Sequence, residues 1–275
     1  MMKLKTLVLA TGLAISAMSV AVSAQAAVLD AWQMQITGDT YTNIGRLSLT
    51  AGSATVYQEL NASNQVFVGA NFVEDTTIYS ISYVQNNVVG PADTGAPTLF
   101  LPADSLSILL SNVRGHVTSV SAGGGYGYSF DSGLFTLKDY NGTNSTLALG
   151  NVAGSTGSFL DHAGFAGING SSVIDVLLAS IAGSPKFQLF DSTGTPLDIT
   201  KIAFEAQTNN QVGNGPGDVV FASGAANCGV GAFNNCLIAK VNSNGDGFLT
   251  TVPEPATLAL LGLGLVGLGL SRRRA

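Results

Sequence analysis

RLSLTAGSATVYQEL, Arg46 to Leu60, sets apolar residues against hydroxyl and amide residues at close to a two-residue period, which is that of a strand with one face in a core. QVFVGANFVE, TTIYSISYVQ, YGYSFDSGLFTLKDY, KFQLFD and DITKIAFEAQ repeat that alternation or carry β-branched and aromatic residues, and Gly, Asn and Asp between them supply turns. No long helical stripe competes. SSVIDVLLASI, Ser171 to Ile181, is the best helix candidate, with Ser172 as an N-cap and Asp175 three residues on as its acidic partner, and it reads equally as a buried strand. Repeated short strands with turn signals predict an all-β chain, a β-sandwich of jelly-roll or related type. No internal repeat is visible, so a solenoid is the second choice.

The two ends do not fit such a body. Lys3 and Lys5 precede an apolar stretch from Leu7 to about Val22, and Ala24-Gln25-Ala26 has the small-x-small pattern of signal-peptide cleavage. The expected signal peptide is residues 1–26, with the cut after Ala26 and a mature chain beginning at Ala27 outside the cytoplasm. The chain finishes VPEPATLALLGLGLVGLGLSRRRA, in which Ala256 to Leu270 is free of charge. As a helix those residues reach about 22 Å, less than the roughly 30 Å of a bilayer's hydrocarbon core, so the expected transmembrane segment 256–270 is a marginal anchor. Arg272, Arg273 and Arg274 place the C-terminus on the cytoplasmic side and act as a stop-transfer cluster. Pro253 and Pro255 stop the helix from running back into the body.

Pro253-Glu254-Pro255, a short Leu/Gly span and a terminal arginine cluster, in that order, resemble the PEP-CTERM sorting signal of Gram-negative bacteria. The resemblance covers residues 253–275. It implies that Pro253, Glu254 and Pro255 are recognised by an exosortase, a membrane-embedded cysteine transpeptidase or protease. Residues 256–270 would hold the precursor transiently in the inner membrane beside that enzyme, as in other C-terminal signals whose apolar tail is removed. The division expected is a β-rich extracellular body at 27–240, a spacer at 241–252 and the sorting signal.

Ala27 to Val252 holds sixteen Asp plus Glu against six Lys plus Arg, a net charge of −10, and only 22 of its 226 residues are charged. Six scattered cations build no basic patch, which excludes nucleic acid as a partner. Hydroxyls and amides must make this surface polar, as suits a protein among extracellular carbohydrates.

Signals for chemistry are sparse. His116 and His162 stand in no metal-ligand spacing, no GxSxG elbow surrounds a serine, and Gly123 to Tyr128 lacks the spacing of a dinucleotide loop. Trp32 reads as a core or edge anchor. NSNGDG, Asn242 to Gly247, puts oxygen side chains at the first, third and fifth positions of a calcium loop, but its twelfth position is Pro253, so it reads as a turn or spacer in preference to a weak calcium site. Gly213, Gly215 and Gly217 read as a turn. No metal and no cofactor are expected. Cys228 and Cys236, separated by GVGAFNN in an oxidising compartment, are predicted to pair.

Thr55 to Glu74, Lys201 to Val212 and the cysteine pair look like the flocculation-associated branch of PEP-CTERM proteins, which implies aggregation of cells together with exopolysaccharide. The leading expectation is an exported, non-catalytic surface or matrix protein. A carbohydrate-binding module is the alternative and would show an aromatic row, with Tyr79, Tyr83, Tyr126 and Tyr128 as candidates on strand faces. A secreted hydrolase, third, needs paired carboxylates such as Asp131 and Asp139.

Overall fold

The computed structural model describes residues 27–85, 98–100, 106–122, 125–139, 145–159, 169–183, 185–213, 215 and 217–252. Val28–Thr251 forms one compact unit. Its described residues form thirteen strands, β1 Trp32–Ile36, β2 Asp39–Glu59, β3 Asn71–Gln85, β4 Thr98–Phe100, β5 Leu106–Val120, β6 Tyr126–Asp139, β7 Ser145–Val152, β8 Ser155–Phe159, β9 Asn169–Ile181, β10 Phe187–Phe190, β11 Ile202–Val212, β12 Val219–Ser223 and β13 Asn235–Thr251. The only helical turns among the described residues are three short 3-10 turns.

All-β is therefore the class, and one sheet contains every strand of the described residues. The ladder runs β2-β13-β11-β9-β7-β6-β5-β3, and β3 then pairs back onto β2, so the sheet closes on itself. β7 and β8 share one place in the ring, since both lie between β6 and β9. Eight antiparallel places result, a number whose interior is just wide enough for side chains to fill. Opposing walls face one another across the core as the layers of a sandwich do, but the order departs from a jelly roll. Followed round the ring, the strands come in chain order, a meander with no Greek-key crossing. Closure removes the open edges that two separate sheets would expose.

The opening stretch shows how a long strand can serve a curved wall. In β2, Leu47 and Leu49 point inward, and beyond Ala51 the buried positions become Gly52 and Ala54, so the inward phase shifts by one residue. Ala51 has φ 55° and the pairing with β13 shifts between Ser243 and Gly245, which is a β-bulge. Gly245 is required there, because a Cβ on it would lie 2.0 Å from the Gln207 carbonyl oxygen. A second bulge bends β5 at Asn112, φ 51°, whose backbone N–H donates to Asp75 Oδ1 at 2.7 Å.

The main core gathers Leu47, Leu49, Ile108, Phe135, Val176, Phe204 and Leu249 from the ring. β1 and β10 pair with each other and add Trp32, Met34, Phe187 and Leu189 to the same cluster. Trp32 is thus the core anchor it was read to be, with 2% of its surface exposed. A smaller cluster of Leu60, Val66, Val117, Tyr126 and Leu237 packs beneath the connection from β2 to β3.

The fold decides one open alternative and corrects two expectations. Ser171 to Ile181 is strand β9, not a helix; its neighbours β11 and β7/β8 pair along both edges and override the capping pattern at Ser172. The expected spacer 241–252 is strand through Thr251, as the second half of β13, because β11 and β2 supply hydrogen-bond partners on either side. NSNGDG accordingly lies in mid-strand, where Asn242, Asn244 and Asp246 stand about 7 Å apart in turn along one face, so the first and fifth positions are too far apart to close on one calcium ion. QVGNGPGD does turn the chain between β11 and β12, with the Gly215 N–H donating to Asp218 Oδ2 at 2.8 Å.

Candidate functional sites: the barrel interior, the disulfide and the sorting terminus

Inward positions along β11 and β13 place a polar layer inside the ring. On β13 the run passes from buried Val241 through Ser243 to Leu249, and on β11 from Val212 through Asn210 and Thr208 to Ala206 and Phe204. Strand alternation sets these groups side by side, and they satisfy one another. Ser243 Oγ donates to Asn210 Oδ1 at 2.7 Å, Asn210 Nδ2 donates to Ser172 Oγ at 2.9 Å, and Ser172 Oγ and Thr208 Oγ1 are 2.7 Å apart. Glu74 and Thr76 of β3 line the same cavity, and the Thr76 hydroxyl donates to Glu74 Oε1. The cavity measures about 20 Å³, room for one water.

Burial pushes the Glu74 pKa above the ordinary carboxylate range, the Thr76 hydrogen bond pulls it down, and the neighbouring Asp75 charge pushes it up. The folded chain holds this proton at pH values where the unfolded chain has released it. Stability therefore falls as pH rises from the ordinary value of 4.5 through the raised folded value. Glu74→Gln removes the ionisation and keeps an acceptor for Thr76. In urea titrations across pH 4 to 8 the variant is expected to gain on the wild type as pH rises. Asp175, raised by burial and by the charge of Glu205, contributes a slope of the same sign, so the variant's profile flattens without becoming level. A wild-type profile parallel to that of Glu74→Gln would show that the carboxyl ionises freely in the fold.

Among the described residues the interior cavities are small. A second cavity, lined by Trp32, Met34, Phe135, Phe187 and Phe204 among others, measures about 30 Å³, against the several hundred Å³ of sites that enclose small molecules.

The residues weighed for sugar binding or catalysis are scattered by the same fold. Tyr83 and Tyr126 are buried, Tyr128 is partly buried with its ring edge-on to Phe72 at 5.4 Å, and Tyr79 is exposed, so these four form no exposed row. His116 Nδ1 lies 2.8 Å from Asp131 Oδ2 on the surface, and His162 lies outside the described residues. Asp139 is buried. Asp131 and Asp139 stand eight residues apart on one strand, about 27 Å at strand rise, far beyond the roughly 5 to 9.5 Å of a glycosidase carboxylate pair. The described residues hold no group of three or more His, Cys, Asp and Glu that would bind a metal.

Cys228 and Cys236 form a disulfide, with 5.8 Å between their Cα atoms, and both are fully buried. Closing so short a loop stabilises the fold by about 2.5 kcal/mol in the chain-entropy account. The bridge fastens the start of β13 to the turns that follow β12, and β12 itself pairs with β13 from Val219↔Ala239 to Ser223↔Asn235. Asn235 to Ala239 therefore carry both a covalent and a ladder constraint.

β13 ends at Thr251, and one residue, Val252, separates it from Pro253. The sorting residues Pro253, Glu254, Pro255 and Arg272 to Arg274, the span 256–270, and Ala24 and Ala26 of the signal cleavage site lie outside the described residues; Ala27 is described and exposed. Residues 251–274 match the PEP-CTERM protein-sorting motif. That motif supports an exported, membrane-anchored precursor that an exosortase processes. No curated protein and no solved structure matches the chain.

Proposed function

We propose that the processed chain is a non-catalytic component of the extracellular matrix or outer surface, associated with exopolysaccharide and promoting the cohesion of flocs or biofilm. The observation that carries this reading is the sorting motif joined to a body in which the two interior cavities lined by described residues are no larger than about 20 and 30 Å³. The motif sends the chain out, and a barrel packed with its own side chains works by its outer surface. That surface belongs to a body of net charge −10. An acidic polymer is repelled by it, so contact with polysaccharide runs through hydrogen bonds or bridging divalent cations. Many copies acting together turn weak contacts into cohesion.

Deletion of the gene is expected to lower floc or biofilm cohesion under shear while exopolysaccharide synthesis continues, and a restored copy returns it. A deletion strain that coheres normally but loses a hydrolytic activity from its medium would overturn this reading in favour of an enzyme.

A further inference from the structure

The outward face of β9, β11, β13, β2 and β3 has a pattern the sequence hides, because its members are far apart in the chain. Antiparallel register places Asn169, Gln211, Asn242, Ser53 and Thr77 side by side on these five strands in turn. Two residues along the strands a second row runs beside it, Ser158, Ser171, Asn209 and Asn244 on β8, β9, β11 and β13. Thr77 is half-buried and the other eight residues are exposed. Their inward neighbours Ser172, Asn210 and Ser243 belong to the polar layer, so alternation fixes which amides face out. Asn209, Gln211, Asn242 and Asn244 have no side-chain hydrogen-bond partner among the described residues.

No residue of either row is charged. Charge stands at the margins: Asp75 flanks Thr77 on β3, Asp175 and Glu205 face each other further along β9 and β11, and two cations stand beside carboxylates. Along β13 the outward series is Lys240, Asn242, Asn244, Asp246; Lys240 Nζ lies 3.8 Å from Asp218 Oδ1, and Arg46 Nε lies 3.2 Å from Asp246 Oδ1. A neutral strip is thus set into a strongly acidic body.

We propose that these two rows form a track for a neutral polysaccharide chain laid across the strands. Neighbouring strands stand about 4.8 Å apart, close to the length of one pyranose residue, so a chain running perpendicular to the strands meets a fresh amide or hydroxyl at each sugar. The second row lies about 7 Å away along the strands, on the other flank of a sugar ring. Each amide presents a donor and an acceptor side by side, the pattern that vicinal hydroxyls complement. With no cation free of its carboxylate, the track offers a polyanion nothing to offset repulsion by the body. Single contacts of this kind are weak, and binding rests on their repetition along the polymer.

This inference rests on the polysaccharide association proposed above and places it on one wall. The test is native gel electrophoresis of the processed protein through gels containing dextran, laminarin or alginate. The wild type is expected to be retarded by at least one of the two neutral glucans and not by alginate. The quadruple variant Asn209→Ala, Gln211→Ala, Asn242→Ala, Asn244→Ala is expected to lose about tenfold in apparent affinity, with unchanged circular dichroism and melting. Leu134→Ser with Leu149→Ser, on the outward face of β6 and β7, is expected to bind as the wild type does. Equal retardation of the quadruple variant and the wild type, equal retardation by alginate, or no retardation by either glucan overturns the track. Returning the quadruple variant to the deletion strain separates the two proposals: restored cohesion sinks the track and leaves the matrix reading standing, whereas a deletion without any loss of cohesion sinks the matrix reading itself.

Discussion

Alanines in place of Pro253, Glu254 and Pro255 are expected to leave the chain in the inner membrane. The three parts of the terminus act separately. The apolar character of Ala256 to Leu270 and the cationic cluster Arg272 to Arg274 are both untouched by the substitution, so the marginal anchor is expected to insert as before. Only the motif offered to the exosortase is lost, and the released, trimmed form is expected to fall about tenfold or more while the membrane-bound precursor accumulates. The barrel has no part in the change, since its last ladder pair is Ile202↔Thr251. Membrane fractionation with intact mass measures the outcome, and a melting curve of the detergent-extracted precursor checks the body. Release and trimming at the wild-type level would remove the motif's role in sorting.

What was legible in the sequence was what is local. The sorting terminus is a linear signal, readable without a fold. Strand character came from side-chain alternation, and the cysteine pair from its short spacing and its compartment. Closure of the ring was not legible, because Val56↔Glu74 and Asn242↔Ser53 are register pairs between strands whose own sequences name no partner. Asn242 to Gly247 misled for a physical reason. Asn, Asp and Gly disfavour strands, yet pairing on both edges imposes one, and Gly245 is there to let a backbone approach. The same imposed strand turns Asn242 and Asn244 outward and Ser243 inward. What reads as a loop of oxygen ligands is in the fold an extended outward series, Asn242, Asn244 and Asp246, with Ser243 between them turned to the interior polar layer. The tyrosines failed in the opposite way. Tyr79 and Tyr83 do share a strand face by spacing, but the wall turns that face from solvent toward the core between them, so Tyr79 is 56% exposed and Tyr83 9%.

Phe204→Ala is expected to cost about 3 to 5 kcal/mol, the largest loss from any single side chain considered for this fold. Phe204 sits on β11 with Val176 and Leu249 as its register partners, and its ring stands 5.5 Å from that of Phe135, which β6 supplies. It lines both interior cavities. The ring also fills the space beside Gly247, where a Cβ would come within 2.6 Å of it, so bare backbone forms part of its pocket. None of these surfaces can move in to close the hole. Each strand around the residue is hydrogen-bonded along both edges, and the ring is closed, so collapse of one wall must break a ladder. The cost should therefore lie toward the upper end of the range. Phe204→Leu, which keeps most of the volume, should lose much less. Urea denaturation of the processed protein measures both variants, with a lower midpoint and an unchanged slope expected for each. A loss below about 1 kcal/mol for Phe204→Ala would mean that the walls close over the vacated space, and a barrel held rigid by its continuous ladder does not allow that.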